Sequence, residues 1–128
     1  MNCIVIDSQP LTKSTIERLI GKTHNLVLTG SFYSVNEAKK IMSKTNVDLI
    51  FMNLQIADKE SIDFIKTIPD DIFVIFISDI SSFQTKNQTD MEVRYFSERF
   101  KKGISNAQNY QMLIKNETLN KTDDYFVI

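Results

Sequence analysis

The chain is poor in the residues that small proteins use as staples, hinges and phosphate cradles. Its 128 residues hold one cysteine, three glycines, two prolines and no tryptophan. A single cysteine rules out an internal disulfide, and Cys3 stands in an apolar run as a small buried hydrophobe. That usage fits a reducing compartment. With three glycines and no glycine-rich loop, nucleotide binding of the P-loop or flavodoxin kind finds no support. The one histidine, His24, falls at a helix end and reads as a solvated surface residue. No sign of charge dominates: 15 Lys and Arg face 16 Asp and Glu, a net charge of −1. Nothing global therefore draws the chain to nucleic acid or to a membrane. No apolar run approaches the roughly 18 residues of a membrane span. The opening MNCIVID reaches an acid after three aliphatics, too soon for a secretory signal. The expected location is cytoplasmic.

What is present is ordinary for a single soluble domain: 42% hydrophobic and 24% charged residues, enough to bury a core without staples. CIVID (3–7) is a short β-branched run ending in an acid, a buried strand. Pro10 suits a helix start, with Leu11, Ile16, Leu19 and Ile20 roughly on one face and Gly21 near its end. LVLTGSF (26–32) is a second strand. Ser34 opens a capping box with Glu37, and Val35, Ala38, Ile41 and Met42 form the stripe of a second helix. VDLIFMN (47–53) is strand three. Ile62, Phe64, Ile65 and Ile68 mark a third helix, broken at Pro69-Asp70-Asp71. IFVIFIS (72–78) is strand four, and the polar stretch 81–90 leaves room for a fourth helix. MEVRYF (91–96) reads as strand five. Residues 97–114 follow as the last helix, with Ser97 as N-cap and Phe100, Ile104, Ala107 and Met112 inward. Residues 115–124 read as a linker, and YFVI (125–128) as a strand fragment.

Alternating strands and helices with near-continuous apolar strands mean a parallel sheet covered on both faces. The expected fold class is α/β: a flavodoxin-like, doubly wound, five-stranded parallel sheet of order 2-1-3-4-5. Its functional surface lies beyond the carboxyl ends of the strands. Those ends deliver Asp7 and Ser8, Asn53, Ser78 and Asp79, and then Tyr95 and Phe96 followed by Ser97, Glu98 and Arg99.

On these residues the chain resembles the receiver domain of bacterial two-component response regulators. More narrowly, it resembles the receivers that precede LytTR-type DNA-binding domains. IVIDSQPL is similar to the family's first strand with its acidic pair, VDLIFMNLQI to the strand carrying the phospho-acceptor, and VIFIS to the strand ending in Thr or Ser. SERFKKGISNA is similar to the start of the last helix. The likeness runs from residue 2 to about 114, and implies a receiver over residues 1–114. The tail DDYFVI resembles the opening strand of a LytTR domain. The resemblance thus implies that residues 115–128 are a linker and the first strand of a further, DNA-binding domain.

In that family an aspartate accepts a phosphoryl group beside a Mg²⁺ ion held by acidic residues. A hydroxyl and a lysine bind the phosphoryl oxygens, and an aromatic on strand five swings as the switch. Carried over, the acceptor position is Asn53, and an amide cannot form the acyl phosphate. The acidic pair keeps only Asp7, with Ser8 beside it, and Gln55 lies in the same former metal pocket. Mg²⁺ wants charged oxygen ligands, so its binding is expected to be weak or absent. Ser78 keeps the hydroxyl, but Asp79 behind it repels phosphate. Tyr95 matches the switch aromatic, and Glu98 stands where the lysine belongs.

These losses agree with one another and describe a degenerate receiver, with the fold retained and phosphoryl transfer gone. It is not read as an enzyme and needs no cofactor or metal. Its expected partner is a second copy or another protein, met through the fourth helix, fifth strand and last helix. A histidine kinase survives only as a remnant partner, DNA is reached only through the missing domain, and no membrane is involved. Two other readings stand beside this one. In the first, phosphate is accepted at a displaced carboxylate, Asp58 or Asp79. In the second, the crevice around Asp7, Ser8, Asn53 and Ser78 senses a small ligand.

Overall fold

The computed structural model describes residues 1–53, 59–77, 90–115 and 125–128. Five strands form one all-parallel sheet: β1 (Asn2–Ile6), β2 (Val27–Phe32), β3 (Leu49–Asn53), β4 (Phe73–Ile77) and β5 (Tyr125–Val127). Their order is β2-β1-β3-β4-β5. Four helices are described: α1 (Pro10–Gly21), α2 (Val35–Met42), α3 (Lys59–Thr67) and α4 (Asp90–Lys115). Helices cover both faces, so the architecture is the flavodoxin-like doubly wound sheet that the sequence pattern predicts.

Alternation along each strand divides the core in two. Cys3, Val5, Leu49, Phe51, Phe73, Ile75 and Ile77 point to one face, where Ile16 and Ile20 of α1 meet Phe96, Phe100, Ile104, Ala107 and Tyr110 of α4. Ile4, Ile6, Ile50, Met52 and Val74 point to the other, under Val35 and Ala38 of α2 and Phe64 of α3. Phe51 and Phe100 stack across the first core with centroids 5.4 Å apart and planes 7° from parallel. Cys3 is fully buried there, and burial pushes its thiol up to about 12, as suits a packing residue.

Local signals account for the helix starts. Pro10 occupies the first turn of α1. Ser34 Oγ accepts from the Glu37 N–H at 3.4 Å, while the Glu37 carboxylate accepts from the Tyr33 N–H at 3.2 Å. Three residues placed on apolar faces by spacing instead meet solvent: Leu11 is 53% exposed, Ile62 44% and Met112 61%. Their neighbours Thr12, Ser61 and Tyr110 are buried in their stead.

The largest departure concerns the fifth strand. MEVRYF (91–96) is not a strand but the first turns of α4. Tyr95 and Glu98 are therefore helical residues, not residues of a strand end and the loop after it. Phe96 opens a run of buried residues at Phe100, Ile104 and Ala107, and continuation of that face favours helix over strand. Residues 125–127, read from the sequence as the opening strand of a further domain, pair with β4 and complete this sheet. The fourth helix expected at 81–90 lies outside the described residues, apart from Asp90, which begins α4.

α1 and α4 cover one face of the sheet, α2 and α3 the other. In passing from β2 to β3 and from β3 to β4 the chain steps toward one edge with α2 and α3 on the second face. From β1 to β2 it steps the opposite way with α1 on the first face, which is the same hand. From β4 to β5 it steps as α2 and α3 do, yet α4 lies on the α1 face.

Candidate functional site

The carboxyl end of β1 and the carboxyl end of β3 lie side by side, because Ile6 pairs with Met52 in the parallel ladder. Each strand's next residue therefore stands over the same point of the sheet edge. Asp7 is wholly buried and Asn53 is 2% exposed. The Asn53 Nδ2 donates to Asp7 Oδ1 at 3.1 Å, within the interior. The same oxygen accepts from the Gln9 backbone N–H at 2.8 Å, two residues along, which fixes the turn into α1. The Asp7 backbone N–H continues the ladder by donating to the Phe32 carbonyl at 3.0 Å. Asp7 thus holds a helix start and a strand-end contact at once.

The orientation of the Asn53 amide follows from its neighbour. Its nitrogen must face the carboxylate, since the carbonyl oxygen would set two acceptors against each other. A carboxylate at position 53 would create that same conflict unless a cation or proton stood between the two. The pair meets one of the needs of a buried carboxylate without a metal.

Two polar atoms of this region have no hydrogen-bond partner among the described residues: Asp7 Oδ2 and Thr12 Oγ1, both buried. Thr12 was not singled out by its chemistry, yet its position was readable. It precedes Ile16 and Ile20 at intervals of four and shares their inward stripe, where all three are buried. Ser8, the other half of the expected acidic pair, is exposed.

The remaining predicted site residues do not join this pair. Gln55, Asp58, Ser78 and Asp79 lie outside the described residues. Tyr95 belongs to the α4 backbone, and Glu98 is an exposed residue of that helix. His24 is exposed, as expected. A cleft of about 450 Å³ opens elsewhere, between the carboxyl-terminal ends of α2 and α3 over Val47, Phe64 and Ile72. It is at the opposite end of the sheet from Asp7 and Asn53.

The Mg²⁺ ion that the resemblance implies is a poor match for these residues. One carboxylate oxygen is already engaged by two N–H donors, and the acceptor-strand residue presents an amide N–H toward it. A hard divalent cation needs several oxygen ligands at one point, and an N–H donor facing that point opposes it. Among the described residues no group of three or more His, Cys, Asp or Glu is placed to hold a metal ion. No described helix is long and apolar enough to cross a membrane.

No protein-family model matches the chain, and no curated protein matches it either. Solved structures do. The response regulatory domain of MrkE from Klebsiella pneumoniae aligns with a TM-score of 0.55 at 17% identity, over 77% of this chain and 93% of that one. RcsB from Salmonella enterica serovar Typhimurium, bound to the promoter rprA with phosphomimetic BeF3−, aligns with a TM-score of 0.59 at 16% identity. That alignment covers 92% of this chain and 66% of the RcsB chain. The isolated REC domain of the same protein gives 0.53 at 15% identity, over 77% and 70%. The chain spans less than two thirds of other RcsB chains, 41% of one from Salmonella typhimurium and 61% of one bound to DNA. At these identities the likeness is one of fold.

Proposed function

We propose that this chain is a receiver-type signalling module that has lost phosphoryl transfer and works through protein contact. One observation carries this reading: the Asn53 amide donates to Asp7 Oδ1 at 3.1 Å inside the sheet edge. The position that would bear a phosphoryl group is a buried amide engaged in a structural hydrogen bond. It lacks the carboxylate that attacks, and among the described residues no cluster of acids is placed to bring a metal. The likeness in fold to receivers supplies the context, and the chemistry of Asp7, Ser8 and Asn53 supplies the departure from it.

In this reading the module is not an enzyme. Its output is a homodimer or a complex with another protein, by way of α4 and β5. Met112, Leu113 and Tyr125 are large apolar residues exposed on those elements. Control of transcription would pass through an attached output domain, LytTR-like in the narrower form of the resemblance, and DNA would be met only there. The structural pairing of residues 125–127 with β4 weighs against those residues being the first strand of such a domain.

A second reading rests on the orphaned Asp7 Oδ2 and Thr12 Oγ1. A small ligand bearing hydrogen-bond donors would satisfy the first of these, and the crevice would then act as a sensor. Two-dimensional NMR of the chain, titrated with Mg²⁺ and then with beryllofluoride, separates the possibilities. The expected result is no saturable shift at Asp7, Ser8 or Asn53. Saturable shifts there that spread along the sheet edge would show that a phosphoryl site survives and would sink the proposal.

A further inference from the structure

The cleft between the carboxyl-terminal ends of α2 and α3 takes no part in the proposed signalling. The helices leave it open because they are short. α2 has eight residues and α3 nine, while β3 and β4 beneath them have five each. Those helices rise about 12 and 14 Å against about 17 Å of strand. Both start at the carboxyl edge of the sheet, so the amino-terminal approaches to β3 and β4 stay uncovered. Val47 and Ile72 stand on those approaches and form the floor with Phe64 of α3, and all three are buried core residues. The volume, about 450 Å³, is that of a small-molecule site of modest size.

The rim offers two opposite charges. Among the described residues that line the cleft, Lys39 is the one cation and Asp71 the one anion. Lys39 comes from the last turn of α2, and Asp71 from the turn between α3 and β4. Both are exposed. Among the described residues, neither forms an ion pair with the other or with any third residue.

Two hydroxyls sharpen the chemistry. Ser43 Oγ donates to the Lys40 carbonyl and Thr67 Oγ1 to the Phe64 carbonyl, each at 2.9 Å. Their protons are engaged within their own elements, so what they present to the cleft is lone pairs. With Asp71, and with the negative ends of two helix dipoles, they favour a charged N–H donor. Lys39 favours a carboxylate. An apolar floor between those two demands asks for a small molecule with both charges and a hydrophobic body.

We infer that this cleft binds a free α-amino acid with a large apolar side chain. The side chain lies on Val47, Phe64 and Ile72. The carboxylate meets Lys39, and the ammonium meets Asp71 and the oxygens of Ser43 and Thr67. The site is at the opposite end of the sheet from Asn53 and stands or falls independently of phosphoryl transfer.

The test is NMR of the full chain titrated with L-phenylalanine, following the amides of Val47, Thr67, Asp71 and Ile72. Saturable shifts are expected there, with the amides of Asp7 and Asn53 unmoved. L-Leucine should shift the same amides, and L-serine, which carries the charges without the apolar body, should not. 3-Phenylpropionate lacks the ammonium and phenethylamine lacks the carboxylate. Each should bind about fivefold more weakly than L-phenylalanine, the weight of one contact between exposed charges. Lys39→Gln should weaken L-phenylalanine by about the same factor and leave phenethylamine unchanged. Asp71→Asn should weaken it likewise and leave 3-phenylpropionate unchanged. Both positions are exposed, so neither variant threatens the fold. No saturable shift with L-phenylalanine or L-leucine would overturn the assignment. So would equal binding of L-phenylalanine and either fragment, or unchanged L-phenylalanine binding in either variant. Shifts confined to Asp7 and Asn53 would also overturn it, and would place the ligand in the crevice at the other end of the sheet.

Discussion

At the scale of single residues, the proposed loss of phosphoryl transfer turns on one atom, the amide nitrogen of Asn53 at the end of β3. Asn53→Asp tests it. The variant replaces the donor that faces Asp7 Oδ1 with an acceptor and sets two carboxylates together where Asp7 is fully buried and Asn53 nearly so. Without divalent cations at pH 7 it should be less stable by about 1–3 kcal/mol, the cost of a lost buried hydrogen bond with like charges brought close. Mg²⁺ should recover part of that loss in the variant and none in the parent chain. Urea denaturation with and without the ion measures both. Equal stability of variant and parent without Mg²⁺ would mean that the Asn53 contact carries no weight. The Asp7–Asn53 pairing was legible in the sequence, because both residues close apolar runs that must lie side by side. The direction of the hydrogen bond and the orphaned Thr12 hydroxyl were not. They depend on strand register and on the turn into α1, which no spacing rule fixes to within an ångström.

Among elements, α1 and β2 are tied by a small polar chain on the sheet's outer edge. Glu17 accepts from Ser31 Oγ at 2.5 Å and from Lys13 Nζ at 2.9 Å. The Ser31 hydroxyl first, and then Lys13, hold the Glu17 carboxyl below its usual range. A carboxyl lowered in the folded state stabilises that state above its unfolded value and stops doing so as pH falls through its folded value. Glu17→Gln should therefore be slightly less stable than the parent near pH 7, and the gap should close in the acid range below the ordinary glutamate value of about 4.3. Urea midpoints taken across that range show it. A gap that persists at the acid end would assign the effect to packing instead. Much of the molecule was readable from pattern: the capping box at Ser34, the proline at the start of α1 and the near-continuous apolar runs of β1, β3 and β4. The far edge was not, for a physical reason. MEVRYF and DYFVI are both strand-like in composition, so local preference cannot choose between them. The choice rests on a helix face that runs unbroken from Phe96 through Phe100, Ile104 and Ala107.

For the molecule as a whole, the two cores divided by the sheet do not carry equal loads. The first joins α1, the sheet, α4 and Ile128, and its centre is the Phe51–Phe100 stack. Phe100→Ala should lower global stability by about 3–5 kcal/mol, as for other buried aromatic truncations. Fluorescence of the tyrosines and circular dichroism should report one coincident transition on urea denaturation. Separate transitions would show that α4 is held apart from the sheet. The same geometry has a kinetic consequence. Val74 finds Tyr125 fifty-one positions along the chain, whereas β1 finds β2 and β3 finds β4 at about half that separation. Long closures come late in folding. For that interval β4, with its sequence FVIFI, is an apolar strand with one bare side in a nearly finished sheet. Refolding at high protein concentration is where that bare side matters, since two such edges joining is faster than one chain closing on itself once chains are crowded.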